Sequence, residues 1–117
     1  MDKKVIIVEG QTDRKQLAKI IIEDLDIICT YGTFSIEQFD ELLEVYDLDY
    51  RPVYIFVDAD ESGIELRKQL TAELPHAEHM YISDHHKEVA KTPEHILAIE
   101  LLKKHIDIDV RWLNEVR

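Results

Sequence analysis

Two hydrophobic segments of the chain are each followed directly by acidic residues. Glu9 follows the apolar segment 5–8, and Asp58 and Asp60 follow the apolar segment 53–57. Carboxylates that crowd together repel one another, and a hard divalent cation relieves that repulsion because it prefers oxygen ligands. The sequence has no Cys/His group with zinc spacing. If the three carboxylates meet, they predict a site for Mg²⁺, with Mn²⁺ as the alternative ion.

Whether the acids meet depends on the elements between them, and those elements alternate in type. Continuous β-branched segments predict strands, whereas apolar residues three or four positions apart predict helices. A Ser35–Gln38 capping box opens the second helix, and Thr92 and Pro93 are the expected N-cap and first residue of the last one. The predicted strands are 4–8, 26–31, 53–57 and 79–83, and the predicted helices are 12–24, one carrying Ile36 to Tyr46, one carrying Ile64 to Leu74 and ended by Pro75, and one through about His105.

This βαβαβαβα order predicts one α/β domain over residues 1–117, with helices flanking a four-stranded parallel sheet. In such sheets, functional residues lie outside the carboxyl ends of the strands. If the strand order is 2-1-3-4, the first and third strands are neighbours, and Glu9 projects from the same edge as Asp58. Asp60 lies two residues further along, so the two aspartates point the same way. Gly10 and Gly63 lack a Cβ atom and would let backbone or substrate approach beside the acids.

Other polar residues near these strand ends have open roles. Asp13 either joins the acidic cluster or only caps the first helix. Arg14 and Arg67 lie on the early turns of their helices, where they would either bind a substrate phosphate or remain in solvent. His85 and His86 would act as a proton shuttle, as additional ligands or as exposed loop residues, and the pattern favours the exposed loop.

The composition limits the partners of the chain. The 117 residues carry a formal net charge of −11, which argues against a broad basic surface for nucleic acid. A nucleic acid must therefore be met locally or be presented by a protein partner. The single cysteine, Cys29, lies in an apolar run and predicts a buried thiol in a reducing compartment. No segment predicts a membrane span or a signal peptide, so the expected location is cytoplasmic. Trp112, with Leu113 and Val116, predicts either an intramolecular packing strap or a dimer contact.

The two acidic motifs resemble those of the Toprim domain. The resemblance is carried by Glu9-Gly10 and Asp58-x-Asp60-x-x-Gly63, and it is extended by Asp13, Gly32-Thr33 and Lys87-Glu88-Val89. The family includes topoisomerases, bacterial primases, OLD-family nucleases and the small ribonucleases that mature 5S ribosomal RNA. The resemblance implies a three-layer Rossmann-like fold in which Asp58 and Asp60 hold Mg²⁺. It also implies that Glu9 acts as general base or acid, or shares the metal, and that Asp13 completes the cluster.

The function expected of such a stand-alone small Toprim protein is Mg²⁺-dependent phosphodiester hydrolysis or phosphotransfer on RNA or DNA, as in RNA maturation. The alternative is a noncatalytic module that binds a metal or a nucleotide and works with a protein partner. Two features favour this alternative, namely the net charge and Gln11, which stands where the ribosomal-RNA maturases commonly have lysine. A receiver-like phosphoacceptor is disfavoured because no clear lysine ends a late strand.

Overall fold

A parallel sheet of four strands forms the centre of the fold. The computed structural model describes residues 2–32, 35–83 and 85–114. The strands of these residues are β1 (Val5–Val8), β2 (Asp26–Cys29), β3 (Val53–Phe56) and β4 (Glu78–Met80), and the helices are α1 (Gln11–Ala18), α2 (Ile36–Tyr46), α3 (Glu61–Glu73) and α4 (Glu94–Lys103). The strand order β2-β1-β3-β4 is the one that the sequence predicts. In the register, Ile7 of β1 lies beside Ile55 of β3, and Phe56 of β3 lies beside Met80 of β4.

Alternate side chains of the strands fill two cores, one on each face of the sheet. Ile6 and Val8 of β1 face the first core, and Val5 and Ile7 face the second. The first core also contains Leu17 of α1 with Leu97 and Leu101 of α4, and the second contains Phe39 of α2 with Leu66 and Leu70 of α3. The sheet is therefore covered by helices on both faces, which confirms the predicted three-layer α/β architecture.

The first helix is shorter than the predicted range 12–24, because α1 ends at Ala18. Residues 20–22 instead run beside the C-terminal segment. Ile21 pairs with Ile108 in an antiparallel bridge, and the Ile22 N–H donates to the carbonyl of Asp107. These long-range hydrogen bonds satisfy backbone groups that would otherwise be paired within a longer helix. The apolar residues after Ala18 therefore have helical spacing without forming a helix.

Further boundaries differ from the prediction, and one of them is the end of β2, which lies at Cys29 rather than at residue 31. The N-cap of α4 is Pro93 and not Thr92, because the buried Thr92 hydroxyl donates to the carbonyl of Glu88 at 2.8 Å. β4 ends at Met80, the residue that pairs with the last residue of β3, so the predicted range 79–83 extends beyond its partner strand. The capping box was predicted correctly, since Ser35 Oγ accepts from the Gln38 N–H and Gln38 Oε1 accepts from the Ser35 N–H.

The C-terminal segment packs against its own chain. The indole Nε1–H of Trp112 donates to the carbonyl of Lys19 at 3.1 Å, and the ring lies against the first core. Trp112 therefore acts as a packing strap, while Val116 and Thr33 lie outside the described residues. None of the described helices is both long enough and apolar enough to cross a membrane.

Candidate metal centre

The carboxylates of Glu9, Asp58 and Asp60 converge at the carboxyl edge of the sheet. Glu9 directly follows β1, and Asp58 is the second residue after β3, its neighbour in the sheet. One oxygen from each of the three carboxylates lies within 4.8 Å of the other two. The structure thus brings together the three acids that the sequence singles out as metal ligands.

Each of these carboxylates is held through one oxygen by a backbone N–H. Glu9 Oε1 accepts from the Asp58 N–H at 3.1 Å, and Asp58 Oδ1 accepts from the Val89 N–H at 2.8 Å. Asp60 is the N-cap of α3, where its Oδ1 accepts from the Gly63 N–H at 2.8 Å. A carboxylate has two oxygens, so each residue keeps a second oxygen that could bind a cation while the first fixes its orientation.

The cluster carries more negative charge than its surroundings compensate. Burial raises the pKa of Asp58 to about 7, and the charges of Glu9, Asp13 and Asp60 add to this effect. Burial also raises the pKa of Glu9, with further contributions from Asp60, Asp13 and Glu88. Among the ion pairs of residues 2–32, 35–83 and 85–114, none involves Glu9, Asp58 or Asp60. The acids therefore repel one another, and no ion pair among the described residues balances their charge.

The donor set fits a hard divalent cation. All three groups offer carboxylate oxygens, and their close approach is unfavourable unless a positive charge lies between them. Soft ligands are missing from this group, because the only cysteine of the sequence, Cys29, is the last residue of β2 and is not one of its members. The residues present thus match the ligand preference of Mg²⁺ and Mn²⁺ rather than that of zinc.

Comparison with known proteins identifies the family. The sequence model of the Toprim domain matches residues 4–91, a range that includes all three acids. The chain belongs to the Toprim domain family. A solved structure of a small Toprim domain protein from Bacillus stearothermophilus superposes with a TM-score of 0.91 at 39% identity, covering 100% of this chain and 98% of that one.

Two sequence relatives differ in how far they extend beyond the chain. The uncharacterized protein YusF of Bacillus subtilis is 44% identical over 112 residues, which cover 95% of this chain and 75% of the relative. A ribonuclease M5 of Ligilactobacillus salivarius is 34% identical over 84 residues, which cover 71% of this chain and 43% of the relative. The match therefore spans less than half the length of that ribonuclease.

Asp13 lies beside the Toprim acids but is held by backbone groups. Its side chain is only 7% exposed. Its carboxylate accepts from the Gly10 N–H at 3.1 Å and from the backbone N–H of Ala90. Burial raises the pKa of Asp13, and the charges of Glu88 and Asp60 contribute to the rise. Asp13 thus ties the start of α1 to the 3₁₀ turn Val89–Lys91, and it is close enough to sense the charge of the cluster.

The segment between β4 and α4 completes the site through backbone contacts that the sequence does not predict. The carbonyl of Lys87 accepts from the Ala59 N–H at 2.6 Å, and Val89 donates to Asp58. The charge of Glu88 raises the pKa of both Glu9 and Asp13. The family resemblance includes Lys87-Glu88-Val89. Eight residues separate Met80 from Val89, and no regular pattern in their sequence predicts that Lys87-Glu88-Val89 returns to the sheet edge.

The two site glycines have different surroundings. A Cβ atom on Gly63 would overlap the carbonyl oxygen of Asp58, so glycine here permits α3 to pack directly against the loop that carries the acid. A Cβ on Gly10 would meet no atom within 4 Å, and its backbone is extended, with φ −147°. Only Gly63 is therefore required by the packing of the protein itself, whereas the space beside Gly10 is open.

The predicted basic residues do not contact the acidic cluster directly. Arg14 hydrogen-bonds to the thiol of Cys29, which is half-buried rather than fully buried and whose pKa is raised by burial. The guanidinium of Arg67 donates to the carbonyl of Met80 at 2.6 Å and lies 4.2 Å from the ring centroid of Tyr81. Arg14 thus lies towards β2 and Arg67 towards β4, on either side of the acids in the sheet.

The histidine pair lies in an exposed turn, as the sequence favoured. His86 Nδ1 is 3.0 Å from Ser83 Oγ, and the rings of His85 and His86 meet edge to face. Neither histidine is part of the group of potential ligands around Glu9.

The raised pKa of Asp58 makes stability depend on pH in the metal-free protein. The folded state keeps a proton on Asp58 up to about pH 7, whereas an ordinary aspartate with a pKa of 3.8 has already lost it. The free energy of unfolding should therefore fall as the pH rises from about 4 to about 7, and the loss is complete above that window. Asp58→Asn should lose less stability over this range, because the amide oxygen still accepts from Val89 but cannot ionise.

Urea unfolding in EDTA at a series of pH values measures this difference. Asp49→Asn, at an exposed position in the 3₁₀ turn Leu48–Tyr50, is the matched control and should follow the wild type. If the free energy of unfolding fell equally with pH in Asp58→Asn and in the wild type, the ionisation of Asp58 would not be the cause of the loss.

Gly63→Ala should reduce both stability and cation binding. The added methyl must displace the Asp58 carbonyl, and overpacking of this kind costs about 1–3 kcal/mol. The gain in helix propensity, up to about 1 kcal/mol, offsets only part of that cost. Gly10→Ala is the control, because its methyl enters open space. Urea denaturation and calorimetric titration with Mg²⁺ compare the two variants, and equal values for both would contradict the proposed packing role of Gly63.

Proposed function

We propose that this Toprim domain is a Mg²⁺-dependent phosphodiester hydrolase that acts on RNA or DNA, with Mn²⁺ as the alternative ion. The observation that carries the proposal is the convergence of three carboxylates within 4.8 Å at the carboxyl edge of the sheet. The similarity to a ribonuclease M5 supports nucleic-acid processing as the wider activity. The proposed location is the cytoplasm, where RNA maturation takes place in bacteria.

The proposed roles follow from how each side chain is held. Asp58 and Asp60 would bind the metal with the oxygens that their backbone N–H partners leave available. A bound Mg²⁺ would polarise the phosphoryl oxygen and lower the pKa of a bound water. Glu9 would transfer the proton, because burial raises its pKa towards neutrality, where an acid–base catalyst is most effective. Asp13 would support Glu9 by holding the backbone of Gly10.

The substrate would enter beside Gly10, where no side chain occupies the space next to the acids. Arg14 and Arg67 would contact the substrate on the two sides of the cluster. With a formal net charge of −11, the protein cannot bind a long stretch of phosphates by charge alone. Local contacts at the metal centre, or a partner protein that presents the nucleic acid, would supply the remaining affinity.

Mg²⁺ should stabilise the wild type but not Asp60→Asn. A ligand that binds only the folded state adds about 2.7 kcal/mol when it is present at 100 times its Kd. Asparagine at position 60 still offers Oδ1 to the Gly63 N–H, so the N-cap survives while one charge of the cluster is removed. Without metal, the variant should therefore be as stable as the wild type or more stable. Calorimetric melting with and without Mg²⁺ tests both points, and an equal Mg²⁺ response would remove Asp60 from the ligand set.

The catalytic proposal predicts that two conservative variants fail in different ways. Glu9→Gln keeps an acceptor for the Asp58 N–H but cannot take a proton, so cleavage should slow by about 10²–10⁴-fold while Mg²⁺ binding persists. Asp58→Asn should mainly weaken Mg²⁺ binding, so excess Mg²⁺ should restore part of its activity. Cleavage of a panel of structured RNAs and DNAs, titrated with Mg²⁺, measures both effects.

The same titration separates a hydrolase from a binding module. If the wild type cleaves nothing at any Mg²⁺ concentration while calorimetry still detects bound Mg²⁺, the hydrolase proposal is wrong, and a noncatalytic metal-binding module takes its place.

A further inference from the structure

A small pocket adjoins the acidic cluster, between α3 and the segment that follows β4. Its volume is about 200 Å³, and its lining includes Asp58 together with Ile64, Arg67, Tyr81 and Ile82. Because Asp58 belongs to both the pocket and the cluster, a ligand held at the cluster could extend into the pocket without leaving the surface.

Tyr81 gives this pocket an exposed aromatic wall. It is the first residue after β4, and its side chain is 59% exposed, while Ile64 on α3 is 52% exposed. Met80 pairs with Phe56, so Tyr81 leaves the sheet beside Val57, one residue before Asp58. The backbone of Tyr81 therefore lies about 4.8 Å from that of Val57, the usual spacing of neighbouring strands, and the side chains of Tyr81 and Asp58 line the same pocket.

Arg67 holds the ring of Tyr81 in place. Its guanidinium carbon lies 4.2 Å from the ring centroid, a cation–π contact, and its N–H groups donate to Met80 O and His79 Nδ1. An arginine can only donate, so His79 Nδ1 must be the acceptor. Burial and the charge of Arg67 lower the pKa of His79, in agreement with a neutral imidazole. The aromatic surface is thus fixed before any ligand arrives, which reduces the entropy cost of binding.

The charge of the protein favours a ligand group that binds without electrostatic attraction. The chain carries −11 overall, and donation to Met80 and His79 leaves the Arg67 guanidinium fewer N–H groups for a substrate phosphate. Stacking of a nucleobase on an aromatic side chain needs no positive charge, because every base offers a π-face. The pocket is also smaller than the roughly 300–1,000 Å³ of sites that enclose drug-sized ligands, so a single ring system suits it.

We propose that this pocket binds the base of an unpaired nucleotide, which stacks on Tyr81 while its neighbouring phosphate lies at the divalent cation that Glu9, Asp58 and Asp60 would hold. The inference rests on the proposed function, because it concerns the substrate of the same centre. A paired base is enclosed in its helix and would first have to leave the stack. The pocket therefore confers a preference for bulges, loops or single-stranded ends, in RNA or in DNA.

The experiment compares two synthetic hairpins that differ by one unpaired nucleotide. One carries 2-aminopurine as a single-nucleotide bulge, and the other carries it in a fully paired stem, each made as RNA and as DNA. Binding is measured with Mg²⁺ in the Glu9→Gln background, so that the hairpins are not consumed. Stacking on Tyr81 should change the fluorescence of the bulged base. Tyr81→Ala should weaken binding of the bulged hairpin by about 5- to 150-fold and leave the paired hairpin unaffected.

Two further variants identify the ring as the cause. All variants are made in the Glu9→Gln protein, which is the parent. Tyr81→Phe retains the aromatic face and should bind the bulged hairpin as tightly as the parent does. Tyr50→Ala removes another exposed tyrosine, 76% exposed and located before β3 at the opposite edge of the sheet, and it should have no effect. The melting temperatures of Tyr81→Phe and Tyr50→Ala should match that of the parent, whereas that of Tyr81→Ala should lie slightly below it, because this variant loses the contact with Arg67.

The outcomes distinguish this inference from the proposed function. If the parent binds the bulged hairpin and Tyr81→Ala binds it equally well, the base-binding pocket is wrong while the hydrolase proposal stands. An equal loss for both hairpins, or a Tyr81→Phe variant as weak as Tyr81→Ala, would also overturn stacking. If Tyr81-dependent binding is observed but the wild type cleaves no RNA or DNA of the panel, the pocket stands and the hydrolase proposal is wrong. If the parent binds neither hairpin, the base-binding pocket is wrong, and the cleavage panel alone decides the hydrolase proposal.

Discussion

A single hydrogen bond joins the two sequence motifs on which this centre depends. The Asp58 N–H donates to the carboxylate of Glu9 across 49 positions of the chain. The bond can form only because β1 and β3 are neighbours. They are neighbours because the chain forms β2 on one side of β1 and then returns through α2 to form β3 on the other side. The packing of the whole N-terminal half therefore sets the position of one carboxylate relative to the next.

The acids are tolerated at the strand ends because backbone groups partly compensate their charge. Gly10 and Asp60 are the N-caps of α1 and α3, so both helices direct the positive ends of their dipoles towards this edge of the sheet. Three backbone N–H groups also donate to the three carboxylates. The raised pKa values of Glu9 and Asp58 show that this compensation is incomplete. The remaining imbalance is what a cation can relieve, and it lowers the stability of the metal-free fold.

The strands could be predicted because they follow from local patterns, and the meeting of the three acids followed once the strand order 2-1-3-4 was assumed. Buried β-branched runs mark the strands, and the rule for the carboxyl ends of parallel strands places Glu9 near Asp58. The end of α1 could not be predicted in this way. Ile20 and Ile21 keep helical spacing, but the backbone around them pairs with Asp107 and Ile108, and no local pattern announces so distant a partner.

The same limit applies to the parts of the site that follow β4. The exposure of Tyr81 could not be predicted, because it depends on where β3 stops pairing with β4. Arg67 looked like an exposed helix residue, but its helix faces β4, and the carbonyl of Met80 and the ring of Tyr81 hold its guanidinium. Tertiary neighbours, rather than residue type or spacing, give these two side chains their environment.

The carboxylate of Asp58 connects two parts of the protein. One of its oxygens accepts from the N–H of Val89, and its partner oxygen is available to the cluster. The order of the segment 85–89 and the occupancy of the cluster therefore act on the same side chain. The hydrogen bond thus links the two mechanically: a displacement of Val89 would shift the Asp58 carboxylate, and a cation held at that carboxylate would in turn restrain Val89.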